Sequence, residues 1–195
     1  MCSVVPEVIY SLRSCCRKYF NIDPFILQSG AKTGLKIRYR NPLEVGPDRI
    51  AKAIGAVHLY PGRNAIIVDF GTATTFDCVT PKGEYLGGII APGVQISADA
   101  LFARAAKLPR VEIAKPAKIV GRNTVHSMQS GIVYGYVGLV DGIVERTIEE
   151  LGYTCAVIAT GGLARLIAPL SRTVNHVDDE LTLVGLRILY ERNAT

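Results

Sequence analysis

Ala65-Ile66-Ile67-Val68-Asp69-Phe70-Gly71-Thr72-Ala73-Thr74-Thr75 decides the fold class of this chain. Residues 65–70 are apolar except at Asp69, the pattern of a strand buried on both faces. Gly71-Thr72-Ala73-Thr74 forms a tight turn, and residues 75–79, β-branched and aromatic, predict a second strand. A strand that carries a carboxylate to its end, followed by glycine and hydroxyl side chains, has two readings. In one, Gly71 lets the backbone approach a ligand, the turn cradles phosphate oxygens, and Asp69 holds a cation. In the other this is a plain hairpin turn with Asp69 bonded to neighbouring N–H groups.

Working outward, residues 85–90 predict a third strand, and Ala91-Pro92-Gly93 leads into a helix that runs to about residue 106. Residues 125–151 form a long helix. Its Gly131, Gly135, Gly138 and Gly142 share one face, and each costs about 1 kcal/mol of helix propensity, a cost a helix bears when another helix must approach closely. Residues 155–160 predict a further buried strand. Gly161-Gly162 and a helix from Leu163 follow, and a last helix covers 181–192. Upstream, apolar residues at Ile50, Ala53, Ile54 and Val57 predict a helix over 48–60. Residues 28–40 read as a turn and an edge strand. Residues 2–5 read as the end of a strand that enters a helix over 6–19, with Pro6 at its start. Strands and helices interleave and strands end in glycine turns, which is an α/β fold with ligands at strand ends.

The chain has 195 residues, enough for one large domain or two small ones. At 49% hydrophobic and 20% charged it has a sizeable core and is not disordered. A net charge of +5 is modest, and the basic residues are scattered apart from Lys32, Lys36, Arg38 and Arg40, so a nucleic-acid partner is not expected. Five cysteines with no Cys-x-x-Cys pair point to free thiols in a reducing compartment. The longest apolar stretch, 130–144, contains Asp141 and is shorter than the roughly 20 residues of a membrane span. The expectation is a cytoplasmic protein with no membrane partner.

Three more groups carry chemistry. Val157-Ile158-Ala159-Thr160-Gly161-Gly162-Leu163-Ala164 has a nucleotide-binding layout, the glycines admitting a flat base or ribose, or else it marks close helix–strand packing. In Gly46-Pro47-Asp48-Arg49, Asp48 can accept a hydroxyl proton and Arg49 can pair with an anion, or Asp48 is a helix N-cap. In Gly121-Arg122-Asn123-Thr124, Thr124 precedes the long helix and reads as its N-cap.

Read together with Thr33-Gly34-Leu35-Lys36-Ile37 and Gly87-Gly88-Ile89-Ile90-Ala91-Pro92-Gly93, these motifs in this order resemble type III pantothenate kinase, from about residue 3 to the C-terminus. The resemblance implies a ribonuclease H-like, actin-like ATPase fold of two similar halves, the first incomplete. Residues 1–62 would be the remainder of the N-terminal half and 63–195 the C-terminal half. It implies ATP-dependent phosphorylation of pantothenate to 4'-phosphopantothenate, the first step of coenzyme A synthesis, with Mg2+ and a monovalent cation (K+ or NH4+), in a homodimer with pantothenate at the subunit boundary. On this match Asp48 resembles the catalytic base. Tyr39, Gly46, Pro47, Arg49 and Thr124 resemble substrate contacts. Gly71, Thr72, Gly161 and Gly162 resemble ATP contacts, and Asp69 resembles the monovalent-cation ligand. The glycine-faced helix is expected to pack in the dimer.

Family members open with a strand and an Asp-x-Gly-Asn-Thr loop around the ATP phosphates, and this sequence contains no such motif. The expectation is a fragment, or a product of a misplaced start codon, with little or no kinase activity alone. Pro47 also stands where a small or apolar residue is expected. Two rival readings are a non-catalytic accessory factor for transcription, as some relatives are, and a sugar kinase or phosphatase of the same fold. The paired Gly-Pro-Asp-Arg and Gly-Arg-Asn-Thr motifs speak against the latter.

Overall fold

Ala65, Ile66, Ile67 and Val68 are at most 2% exposed and form the centre of strand β2 (Asn64–Phe70). Full burial on both faces is what the apolar run predicts. The structure, a computed structural model, describes residues 1–2, 6–27 and 31–194. These fall into two compact units: Met1–Arg63, Val79–Gly87 and Glu180–Thr195 make the first, and Asn64–Cys78 and Gly88–Asp179 the second.

In the second unit β2 neighbours β3 (Ala73–Val79), and beyond it the later part of β4 (Glu84–Pro92); on its other side lie β5 (Cys155–Thr160) and β6 (His176–Val177). β2 and β5 run parallel, in a register that pairs Asn64 with Cys155 and Asp69 with Thr160. β5 and β6 are also parallel. The two-residue β6 is too short to leave a pattern in the sequence. Helix α3 (Val94–Arg104) follows β4, and the 28-residue α4 (Thr124–Leu151) buries Val133, Val140 and Val144. After β5 a single turn, α5 (Ala164–Ile167), buries Ile167.

The cap of α4 is Asn123, whose Oδ1 accepts from the His126 N–H at 2.8 Å. Thr124, expected as the cap, is the first helical residue instead. Gly152, at φ 72°, ends the helix in the left-handed conformation that glycine adopts freely. On the inner side of α4, Asp141 is 4% exposed. It accepts hydrogen bonds from the Ser171 and Thr173 hydroxyls and from the backbone N–H groups of Arg172 and Thr173, fixing the loop that leads to β6. Burial pushes its carboxyl up, but these donors outweigh it and hold the group below the ordinary carboxylate range.

In the first unit, α1 (Pro6–Phe20) matches its expected extent closely. The strand expected before it falls largely on residues 3–5, outside the described residues. β1 (Lys36–Ile37) pairs in parallel with the start of β4, Lys36 beside Glu84 and Ile37 beside Tyr85. The turn expected near residue 28 also lies partly outside the described residues. α2 (Pro47–Leu59) crosses α6 (Leu181–Asn193) backbone to backbone. A Cβ on Gly185 would collide with the backbone of Ala51, and one on Gly55 with the Leu181 carbonyl. Leu27, Ala51, Ile54, Ile188 and Leu189 form the core beside the crossing.

Candidate active site

In the first unit Gly46 is the N-cap of α2 and makes no side-chain cap. Asp48 therefore lies inside the first turn and is not the cap. Pro47 fits the first helical position, where its missing N–H costs nothing, and the helix dipole favours a carboxylate beside it. The Asp48 side chain is 49% exposed, and Lys52, one turn on, is 2% exposed. Lys52 Nζ donates to Asp48 Oδ2 at 2.9 Å. The other oxygen, Oδ1, lies over Gly46, where a Cβ would stand 2.7 Å from it. Gly46 has an ordinary φ of −57°, so its missing side chain, rather than any conformational freedom, makes room for the carboxylate.

Arg49 is buried, with its guanidinium carbon 5.9 Å from the ring centroid of Tyr85, within cation–π range. Tyr85 is fully buried and meets Tyr39 at 6.4 Å between ring centroids. Tyr39 and the segment 46–49 are thus linked, in one region of this unit, through Tyr85, which is distant in the chain. Sequence reasoning missed Tyr85 and Lys52. The four-residue spacing from Asp48 to Lys52, with both charges on one helix face, was the available signal for Lys52.

In the second unit the parallel register brings the ends of β2 and β5 together. Asp69 stands beside Thr160. Gly161 takes a φ of 90°, and a Cβ there would overlap Asp69 Oδ1 and lie 2.8 Å from the Phe70 nitrogen. Gly162 meets nothing within 4 Å and is exposed. Gly161 therefore fits the close-packing alternative read from the sequence, while Gly162 has open space about it. Gly71 and Thr72 are exposed at a turn closed by the Gly71 N–H donating to the Ala73 carbonyl at 3.2 Å. The Gly71 and Thr72 carbonyl oxygens crowd the α-carbon of Gly93, which has no room for a side chain. Asp69, Gly71, Thr72, Gly161 and Gly162 thus lie at one end of the sheet in this unit. Three more polar side chains follow on β3. The Thr75 hydroxyl donates to the buried Asp77 at 3.3 Å, and the Thr74 hydroxyl is fully buried with no hydrogen-bond partner among the described residues.

Thr124 lines a groove of about 600 Å3 between α3 and α4, together with Leu101, Met128, Ile132 and Tyr136. The Tyr136 hydroxyl is fixed by Ser97 at 2.6 Å and the Pro92 carbonyl at 2.9 Å. A Cβ on Gly131, Gly135 or Gly138 would meet nothing within 4 Å. Gly131 and Gly135 line the groove beside α3, so the glycines leave open space there. Among the described residues no three His, Cys, Asp or Glu side chains converge on a metal position, and no helix is long and apolar enough to cross a membrane.

The sequence matches the model of the type III pantothenate kinase family over residues 1–146. The chain belongs to the type III pantothenate kinase family. Membership makes it a kinase-type phosphotransferase by descent, of a family that uses ATP and serves coenzyme A synthesis. Solved structures give the fold. A protein from Campylobacter jejuni described as a Baf family transcriptional activator superposes with a TM-score of 0.61 at 19% identity, over 94% of this chain and 79% of its own. A protein from Sinorhizobium meliloti described as a 2-dehydro-3-deoxygalactonokinase superposes with a TM-score of 0.53 at 13% identity, over 73% of this chain and 58% of its own. At such identities the likeness is one of fold: the ribonuclease H-like, actin-like ATPase fold expected for the kinase family.

Proposed function

We propose that this chain acts as a type III pantothenate kinase, moving the γ-phosphoryl group of ATP to the terminal hydroxyl of pantothenate. The observation that carries the reading is Asp48: a half-exposed carboxylate in the first turn of α2, held by a buried lysine and followed by a buried arginine. In the step, the hydroxyl oxygen bonds to the γ-phosphorus while the bond from that phosphorus to the bridging oxygen of ADP breaks. The hydroxyl proton passes to Asp48 Oδ1 and then to water. Phosphoryl transfer of this kind asks for positioning and charge neutralisation more than for covalent help. Arg49 pairs with the pantothenate carboxylate, and Tyr39, Gly46 and Pro47 shape the pocket around it.

Gly71, Thr72, Gly161 and Gly162 are assigned to the nucleotide, with Gly162 leaving the open space and Gly161 the close packing. The donors near residue 69 are all oxygen: the Asp69 carboxylate and the carbonyls of the 71–72 turn. That set suits a hard cation such as K+ or NH4+, or Mg2+ arriving with the phosphates. Such an ion, once bound, supplies positive charge near the phosphates. A second copy of the chain covers the open glycine face of α4 and brings Thr124 to the substrate, in a cytoplasmic homodimer.

The test is a pantothenate titration by calorimetry, together with transfer of label from [γ-32P]ATP to pantothenate, which registers even slow turnover. Saturable binding that weakens at least tenfold in Arg49→Ala, with transfer lost in Asp48→Asn, supports the assignment. No saturable binding at millimolar pantothenate, or binding and transfer indifferent to both substitutions, overturns it. Capture of a defined protein partner by a chain that binds no nucleotide would favour the accessory-factor reading instead.

A further inference from the structure

We infer that Lys52 is the positioning residue of Asp48: its buried ammonium holds one carboxylate oxygen so that the other faces the acceptor hydroxyl. This rests on the reading of Asp48 given above and adds to it the group that sets its geometry. An aspartate on the first turn of a helix, half open to water, would ordinarily rotate about its side-chain bonds among several orientations. Two features of this site prevent that.

The first is the Lys52 ammonium, 2.9 Å from Oδ2. Lysine ordinarily keeps its charged head in water on a flexible stem. Here the whole side chain is 2% exposed, so the stem is packed and the ammonium has a defined place. A charge-assisted hydrogen bond from a fixed donor is directional, and it engages Oδ2 alone. The second is Gly46. Its bare α-carbon lies under Oδ1, where any side chain would intrude to 2.7 Å. The carboxylate is thus held on one side by a donor and allowed on the other by an absence. Its Oδ1 edge is left for a third party. Burial of a lysine is costly and has to be matched by a partner. A half-exposed carboxylate offsets little of that cost by itself, and a leucine or methionine would fill the same buried volume at less. The expense is explained if the product is orientation.

The experiment uses the full chain with Lys52→Met, Lys52→Arg, Asp48→Asn and the double variant Asp48→Asn/Lys52→Met, each first checked for folding by circular dichroism and thermal melting. Label transfer from [γ-32P]ATP to pantothenate is expected to fall at least tenfold in Lys52→Met with the KM for pantothenate within about threefold. Lys52→Arg should recover part of the rate. Adding Lys52→Met to Asp48→Asn should cost nothing more, because both act through one carboxylate. The second readout needs no turnover: the side-chain 15Nζ–1H correlation of Lys52. It should be visible at neutral pH through slow hydrogen exchange, and it should be lost or strongly shifted in Asp48→Asn.

If Asp48→Asn transfers label as well as the unaltered chain does, the assignment of Asp48 fails, whatever Lys52 does. If Asp48→Asn is inactive while Lys52→Met is fully active, or if the two effects simply add, the inference about Lys52 fails alone. If no label is transferred by any form, the nitrogen signal decides: protection that vanishes in Asp48→Asn supports the inference, and a fast-exchanging signal indifferent to Asp48→Asn overturns it.

Discussion

Gly185→Ala should be among the more damaging single methyl additions in this chain, although it replaces a helix breaker by the best helix former. The new methyl carbon would lie 2.6 Å from the Ala51 carbonyl carbon and closer still to its oxygen. Ordinary carbon contacts begin at about 3.5 Å, so α2 and α6 must part by about 1 Å. The obstacle is backbone on both sides, and no side-chain rotation relieves it. A gap of that size forfeits a quarter to a half of the attraction across the contact, here the packing of Ala51 and Ile54 on Ile188 and Leu189. Overpacking of this kind costs about 1–3 kcal/mol, and the gain in helix propensity returns about 1 kcal/mol. The upper half of that range leaves a net loss of about 1–2 kcal/mol, or about 2–8 °C in melting temperature for a chain of this size. Gly138→Ala supplies the control, because its methyl group meets nothing within 4 Å. Propensity then acts alone, and the monomer should gain about 1 kcal/mol. Urea unfolding followed by circular dichroism reads both changes as opposite shifts of the midpoint at constant slope. If the two variants move in the same direction by similar amounts, the close crossing of α2 and α6 is not what Gly185 is for.

Other expectations follow from the same contacts. Asp141→Ala removes the acceptor shared by the Ser171 and Thr173 hydroxyls and the Arg172 and Thr173 N–H groups, and should cost about 2–4 kcal/mol by denaturant titration. Because the folded state lowers the Asp141 carboxyl below its ordinary value, its contribution is fully present above about pH 4 and is lost as the pH falls further. Asp141→Asn should therefore unfold with a shallower acid limb than the unaltered chain; equal slopes would refute this. Gly161→Ala forces a methyl group against Asp69 and a left-handed backbone on alanine, so it should lower the melting temperature by several degrees without nucleotide present. Burial raises the Cys155 thiol, so its alkylation by iodoacetamide at pH 8 should lag well behind that of the exposed Cys15, as peptide mass mapping over time would reveal.

The strands and helices that form the body of each unit were legible because burial writes a period into sequence. β5 was read at its observed limits, and α1, α2, β2, α4 and α6 to within a residue or two. β6 was not, since two residues carry no period and their place is set by parallel pairing with Ile158 and Ala159. The caps of α2 and α4 were misplaced by one or two residues for a local reason. Asp48 and Thr124 are residue types that cap helices well, but the chain enters its helical backbone one or two residues earlier, with Gly46 and Asn123 at the boundary. At the candidate site the polar residues were named through the family resemblance, since by type and spacing alone Asp48 and Thr124 read as helix caps. Lys52 was passed over because a lysine on an amphipathic helix reads as a solvated charge until its burial is known. Tyr85 was passed over because an aromatic in a strand reads as core, which it also is.

Glycine was the residue whose role the sequence expressed least well, and the two candidate site regions explain why. Gly46 and Gly161 both stand against the Oδ1 atom of an aspartate, Asp48 in one unit and Asp69 in the other. Neither glycine is explained by a ligand pressing on it, since the space a side chain would need is already taken by the chain's own carboxylate. Only one of them has a backbone angle that calls for glycine, Gly161 at φ 90°, while Gly46 at −57° does not. A motif search sees the same letter in both and credits both to ligand binding. Physically, each glycine leaves the space in which an aspartate carboxylate is seated, so a methyl group at either position would press on that aspartate first. Gly46→Ala should for that reason behave like a mild Asp48 variant, lowering phosphotransfer while leaving the melting temperature within about 2 °C, because alanine suits this φ and removes only room. A Gly46→Ala chain that loses several degrees of stability, or none of its transfer, would show that Gly46 serves the fold and not the carboxylate.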